Sequence, residues 1–339
     1  VIPTVFRHRG PLTASRLGFM VGFLACVLIA TSLFALAVGS VNVPLSHVVS
    51  AFTGIGDATD PERTIVLAIR LPRVLLAIIV GAGLSVAGAM LQAMLRNPLA
   101  EPYILGISSG GTMGTILVAT IAGGAGMVFG PAASFAGSAL VMFLVYMLAH
   151  RRGRLDPFTL LLAGVMVGAF FNAAVLLTFA LFNQELRNAF LWLMGNLSSA
   201  QMESLWIAGP LTLLGVALGG LDARRFNLIA TGEETASQLG VHVRALRKRT
   251  YIVASLITGA VVSVSGVIGF VGLIVPHVCR ILFGPDHRIL LPSSFLLGGA
   301  FLVLADTLAR TIIAPAEIPV GAVTAALGAP VFVYLLRRR

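Results

Sequence analysis

Gly106, Ser108 and Gly110 stand in the G-x-S-x-G spacing that presents a nucleophilic serine in many hydrolases. That chemistry needs a strand–turn–helix elbow and an acid–base partner. Here the serine opens a long apolar segment, and no His–Asp pair stands opposite it. Small residues at a close helix–helix contact account better for the pattern, including Gly111 and Gly114 beyond it. The one lysine, Lys248, follows Arg247. A phosphate-cradling loop requires Gly-Lys-Ser/Thr, so this chain carries none, and any ATP and Mg that drive it belong to another polypeptide.

Cys26 and Cys279 lie in separate apolar segments, and the six histidines form no HxxxH or HExxH pair. His277, within Pro276-His277-Val278-Cys279-Arg280, reads as a packing residue. No metal site, disulfide framework or cofactor site is readable. The remaining candidates are charges in apolar surroundings. Asp306 and Arg310 are spaced i,i+4, and Arg70 and Arg73 flank Leu71-Pro72. An ion-coupled carrier keeps carboxylates at mid-membrane, and this chain offers few.

The elements that must position these residues are set by composition. Hydrophobic residues are 58% and charged residues 11% of 339, which predicts an all-α polytopic membrane protein. A span takes about 20 mostly apolar residues. Nine stretches qualify: 17–38, 65–95, 104–122, 127–149, 159–183, 205–221, 250–283, 289–313 and 319–336. The longest polar interval, 222–249, is too short for a core of its own. The whole of 1–339 is therefore a single transmembrane domain.

The net charge of +10 reflects the positive-inside bias rather than nucleic-acid binding. Arg7, Arg9 and Arg16 precede the first span, and Arg337, Arg338 and Arg339 follow the last, which places both termini in the cytoplasm. An even number of spans follows. Splitting 250–283 at the glycines of 265–272 gives ten, with a short eighth helix near 272–283, and keeps Arg151, Arg152, Arg154 and the 224–249 loop inside. Arg63, Arg70, Arg73, Arg187 and Arg310 remain outside, so 18 of the 23 basic residues are cytoplasmic. Ala35-Leu36-Ala37 resembles a signal-peptidase site, but the preceding apolar run is longer than a usual signal core and reads as a span.

Within 222–249, Thr231 and Glu234 fit a capping box. A short helix is expected through Leu239 with Gly240 as its stop, then a short basic helix over about 241–249. A helix–Gly–helix of this kind suits docking more than connection. In 96–106, Pro98 and Pro102 bar a continuous helix, so the chain turns between spans two and three. Span five carries Asn172 and Thr178 and leads to 190–202, read as an external lip. A window at 81–106 also matches 259–284 at Gly81/Gly259, Ser85/Ser263, Gly88/Gly266, Pro98/Pro276 and Gly106/Gly284, in a register that sets a turn against a helix.

Together these segments resemble a known family. Gly232-Glu233-Glu234-Thr235-Ala236-Ser237-Gln238-Leu239-Gly240 and Asn97-Pro98-Leu99-Ala100-Glu101-Pro102 with Leu105-Gly106 are similar to the FecCD-type permease subunits of ABC importers for iron–siderophores, haem and cobalamin. So are Arg70-Leu71-Pro72-Arg73, the run from Gly269 to His277 with Arg280, Asp286-His287-Arg288, Ala305-Asp306 with Arg310, and Gly321-Ala322-Val323-Thr324 with Leu327-Gly328-Ala329-Pro330. The resemblance runs through nearly the whole chain in order.

It implies a type II ABC importer permease of ten spans in the bacterial inner membrane, paired as a homodimer in lipid. Two ATP-binding cassette subunits would dock below, and a periplasmic or lipid-anchored substrate-binding protein above. It implies a cytoplasmic gate at Asn97 and Leu99, with a second element at Asp156, Pro157 and Phe158, where relatives can carry small hydroxyl residues. ATPase coupling falls to Gly232, Glu233, Glu234, Leu239 and Gly240, and binding-protein docking to Arg70, Arg73 and Arg310, since arginine pairs carboxylates with two prongs. Asn172 is expected to face the pathway. A stand-alone secondary transporter and an intramembrane hydrolase acting through Ser108 are the rival readings. The motifs are common to haem, siderophore and cobalamin carriers and do not name the cargo.

Overall fold

The computed structural model describes residues 13–122, 126–151, 154–181, 194–198 and 200–337. Arg7, Arg9, Arg152, Arg187, Arg338, Arg339 and residues 190–193 and 199 of the 190–202 lip lie outside the described residues. The chain is a helical bundle. Its helices are α1 (Ala14–Ala37), α2 (Leu45–Thr53), α3 (Asp60–Thr64), α4 (Leu71–Leu95), α5 (Ile107–Ala122), α6 (Gly126–Ala149) and α7 (Pro157–Leu181). They continue as α8 (Met202–Leu221), α9 (Ala223–Ala230), α10 (Glu233–Gln238), α11 (Val243–Ser265), α12 (Val271–Phe283), α13 (His287–Ala309) and α14 (Val320–Arg337). Among the described residues the strands are one two-residue antiparallel ladder, β1 (His150–Arg151) with β2 (Arg154–Leu155), between α6 and α7.

Among the described residues six helices are long and apolar enough to cross a membrane: Ala14–Ala37, Asp60–Leu95, Phe129–Ala149, Pro157–Leu181, Met202–Leu221 and His287–Ala309. The second of these is a continuous helix of 36 residues, with a wider π-helical turn over Ile65–Arg70 joining α3 to α4. Its most apolar stretch is 83% buried against 22% in α1 and in α7, so α4 is the central post and the other two are peripheral. Packing around α4 is backbone-close. A Cβ added to Gly81 would lie 2.2 Å from the Gly298 carbonyl of α13, and one on Gly88 2.0 Å from that of Gly272 in α12. Helices that gain little from lipid exclusion associate through such van der Waals contact. The same holds for α5 on α6, where Gly110 and Gly114 meet the carbonyls of Gly137 and Ala133.

The break expected near 265–272 lies at 266–270, where the chain leaves the helix between α11 and α12, with Gly266 at φ 68° and Phe270 at φ 67°. The 13 residues of α12 rise about 20 Å, short of the ~30 Å of bilayer hydrocarbon. Backbone groups that leave a helix inside the protein must find other partners. Here the Ser265 carbonyl accepts from Asn196 N–H at 2.9 Å, the Gly266 N–H donates to Val262, and the Phe270 N–H donates to Glu101.

Two apolar cores divide the bundle. One joins α1, α2, the N-terminal half of α4, Leu197, Ile268 and Val320. The other joins the opposite part of α4, Ala100, Leu105, Leu155, Ala223, Phe226, Ala236 and Tyr251. Each core ends in a cluster of polar connections.

Candidate functional site

At the second core's end the chain turns through 96–106. Arg96 ends α4 in left-handed backbone (φ 49°), and Gly106 closes the turn at φ 72°. Asn97 Oδ1 accepts the Leu99 N–H at 2.9 Å, its own carbonyl accepts from Ala100 at 3.1 Å, and Leu99 is left 39% exposed. Pro102–Leu105 form one 3-10 turn. A Cβ on Gly106 would meet the Gly164 carbonyl of α7 at 2.8 Å, so the turn is seated on α7 without room for a side chain. Ser108 is buried in α5, in a helix rather than a nucleophile elbow.

Asp156 caps α7, its carboxylate accepting from Thr159 N–H and Oγ1–H at 2.7 Å each. Phe158 is 75% exposed. Asp156 and Phe158 thus stand at the surface where α7 begins, beside a half-buried Pro157. Asn172 is exposed on α7.

The interval 222–242 corrects the sequence reading in two places. Thr231 is not an N-cap: it ends α9, and its hydroxyl donates to the Leu228 carbonyl at 2.8 Å. Gly232 (φ 129°) caps α10 instead, with no side-chain cap bond. The expected basic helix over 241–249 is not separate either, because Val243 begins the continuous α11. A helix missed by the sequence, α9, precedes them; its signal was the apolar spacing of Ala223, Phe226 and Ile229, all buried.

The Gly240 stop stands as expected. Gly240 (φ 84°) donates to Ser237 at 3.0 Å and Val241 to Ala236 at 2.9 Å, the paired bonds of a Schellman cap. Leu239 is 61% exposed, Glu234 is exposed, and Glu233 is paired with Arg247.

This corner is tied to α13. Asn227 Nδ2–H donates to Asp286 at 2.7 Å, while Asn227 Oδ1 accepts the His287 N–H at 2.9 Å and lies 2.8 Å from His287 Nδ1. Asp222 receives Arg225 at 2.6 Å and also Arg249. Burial alone would raise the Asp286 carboxyl, but hydrogen bonds from the Arg288 side chain and amide and from Asn227 bring it down to about 2. Glu101, in the 96–106 turn, goes the other way: burial pushes it up to about 7 against the pull of the Phe270 N–H.

At the opposite end the three expected docking arginines are inside the chain. Arg70, Arg73 and Arg310 are 4%, 7% and 6% exposed. Arg70 Nη1–H donates to the carbonyls of Leu36 at 2.7 Å and Ala37 at 3.1 Å, and Nη2–H to that of Val41. Arg73 makes three bonds of 2.9–3.1 Å to Asp306 and two of 3.0 Å to Glu317. Arg310 donates to Ala35, and its Nε stands 3.9 Å from Asp306. Sequence reasoning missed Glu317 as a partner. Its side chain, 41% exposed, is the part of this cluster that reaches the surface. The Ala35-Leu36-Ala37 carbonyls are committed to these arginines, as the last turn of a long helix.

Among the described residues the long apolar helices and their small-residue contacts are those of a membrane-embedded helical bundle. The model of the FecCD transport family matches residues 27–338, so the chain belongs to that family. It is 42% identical to the hemin transport system permease protein HmuU of Yersinia pestis, over 94% of this chain and 96% of that one. It is 45% identical to the cobalamin import system permease protein BtuC of Halobacterium salinarum, over 83% and 75%. The iron(3+)-hydroxamate import system permease protein FhuG of Bacillus subtilis is 36% identical over 92% and 94%. A solved inward-facing metal-chelate type ABC transporter superposes with a TM-score of 0.84 at 29% identity, covering 95% of this chain and 99% of that one.

Proposed function

We propose that the chain is the membrane-spanning permease of an ATP-driven importer that carries a metal chelate (iron–siderophore, haem or cobalamin) across the bacterial inner membrane by alternating access. The observation that supports it most is the family match over 27–338, joined to a docking corner built only from helix ends. Counting the three shorter apolar helices and α11 with the six long ones gives the ten spans of this reading, with both termini cytoplasmic.

Two such chains pair around the pathway. Two ATP-binding cassette subunits hold ATP and Mg and dock on 232–240, where Leu239 offers an exposed apolar contact. The 96–106 turn, with Asn97 and Leu99, and the surface at Asp156, Pro157 and Phe158 form the inner gate, and Asn172 lines the pathway. A periplasmic or lipid-anchored binding protein docks at the other end. There Arg70, Arg73 and Arg310 act through the platform they brace, and Glu317 is the group within reach. The stand-alone carrier is not favoured, because the carboxylate it needs, Asp306, is bonded to Arg73.

The decisive experiment captures the binding protein on the purified dimer with its ATPase and records the ligand's absorption spectrum. A haem, corrin or ferric-siderophore chromophore is expected and names the cargo. Uptake that proceeds without the ATPase overturns the reading.

A further inference from the structure

Glu101 is a carboxylate that the transport reading leaves unused. It precedes the 3-10 turn Pro102–Leu105, is 9% exposed, and accepts the backbone N–H of Phe270. Phe270 has φ 67°, a left-handed conformation costly for a residue with a side chain, and it is where the non-helical 266–270 stretch becomes α12. The fit around it is tight. A Cβ on Gly272 would lie 2.8 Å from the Leu84 carbonyl and 2.9 Å from the Pro102 ring, and one on Gly269 3.9 Å from the Glu101 carboxylate. The Gln92 amide of α4 donates to Ala100 and to Gly272 at 3.1 Å each, so it bridges the same two elements.

We infer that Glu101 is a proton-linked clasp: neutral, it stays buried on the Phe270 N–H and holds the 96–106 turn to α12; ionised, it is drawn to water and frees the turn. This makes it a positioning residue for transport, and it rests on the reading of that turn as a gate.

The physical reason is the imbalance around the carboxyl. A buried carboxylate needs several donors or a cation, and this one has a single amide. The charged and titratable side chains on the elements packed against the turn are Arg96 and Tyr103 on the turn itself, His277, Cys279 and Arg280 on α12, Arg73 on α4, and Arg244, Arg247, Lys248, Arg249 and Tyr251 on α11. None forms an ion pair with Glu101 among the described residues, and Arg280 donates to the neutral Gln92 instead.

The sign follows from linkage. The buried carboxyl titrates at about 7, above its ordinary 4.5, so protonation favours the clasped state and rising pH favours release. If the freed carboxyl titrates at its ordinary value, the opening constant rises about tenfold between pH 6 and 8. The proton goes to water. From the clasp, α12 runs to Gly284 and Asp286, which Asn227 of α9 holds. The clasp therefore stands on a continuous physical link between the gate turn and the ATPase-docking corner.

The test is hydrogen exchange of residues 266–273 in the purified permease–ATPase complex at pH 6, 7 and 8, in wild type and E101Q, alongside ATP-driven uptake. E101Q keeps the neutral acceptor, so it reports the ordinary base-catalysed rise. Wild-type exchange is expected to rise about tenfold more than that, with uptake pH-dependent in wild type and flat in E101Q. Parallel rises overturn the clasp. Should E101Q not fold, the wild-type exchange of 266–273 relative to α4 must show a midpoint near pH 7, and a constant ratio is fatal to the idea. A midpoint without ATP-driven uptake sinks the transport reading and leaves the clasp. Uptake with parallel exchange does the reverse.

Discussion

Where α1, α4 and α13 meet, the cations are sunk: the side chains of Arg73 and Arg310 are 8% and 6% exposed and answered by carboxylates and carbonyls of the same chain. Around α9, Arg225, Arg249 and Arg288 are 52%, 43% and 41% exposed; the first two share the buried Asp222, and Arg288 pairs with the partly exposed Asp286. Buried pairs lose most when one partner is removed, whereas exposed pairs contribute about 0–1 kcal/mol. At one end both members of the Arg73–Asp306 pair are therefore sealed from water, and at the other the cations reach it. Under the importer reading proposed above, motion imposed at the second end would act against the first.

The largest effect should come from breaking the Arg73–Asp306 brace. Arg73→Ala leaves Asp306 buried beside a cation 3.9 Å away, and such a loss costs about 3–5 kcal/mol. We expect a sharply lower thermal unfolding midpoint in detergent, and partial recovery in the Arg73→Ala/Asp306→Ala pair. Equal stability of Arg73→Ala and wild type would mean that the brace does not exist.

This brace also marks how far the sequence could be read. The i,i+4 pair of Asp306 with Arg310 was legible because it is local. In the structure it is the weaker contact, and the carboxylate goes to Arg73, 233 residues away. Glu317 is 244 residues from Arg73, and no local pattern joins them. The unwound 266–270 stretch was legible, because its glycines break a long apolar run. So was the Gly240 stop, which depends on backbone handedness alone. Thr231 misled because its hydroxyl has two backbone uses, and bonding back to Leu228 competes with capping forward. Glu101 looked like part of a turn motif. Its importance comes from Phe270, which only the fold brings beside it.

A smaller effect is expected at the tie between α9 and α13. Asn227→Ala takes one donor from Asp286, which keeps Arg288, and the acceptor from the buried His287 N–H, and a buried donor left unpaired costs about 1–3 kcal/mol. The expected readout is faster hydrogen exchange in 223–230 with little change in the global midpoint. The tie should be insensitive to pH where the clasp is sensitive. The Asp286 carboxyl lies below its ordinary 3.8, at about 2, so its contribution is complete above the ordinary value and is lost only as pH falls through about 2. Exchange of 223–230, corrected for the intrinsic rate, should be flat from pH 5 to 8. A change with a midpoint inside that range would assign the tie to another group and blur the contrast between the two ends.

The smallest effect on stability, and the sharpest on assembly, belongs to Leu239→Asp. The side chain is 61% exposed at the C-cap of α10, and Gly240 keeps the Schellman bonds whatever Leu239 carries, because they are backbone bonds. Stability should move by no more than about 0.5 kcal/mol. An exposed leucine at a helix end costs water contact until something covers it, and a carboxylate there cannot be covered by the same apolar surface. The ATPase should therefore fail to co-purify with Leu239→Asp while the permease runs at its normal size and melts at its normal temperature. If the ATPase remains bound and uptake is unchanged, the corner at 232–240 is not where force enters. The exposed pairs around α9 would then need another purpose. If the ATPase is lost and the brace at Arg73 is intact, the two ends answer to different perturbations.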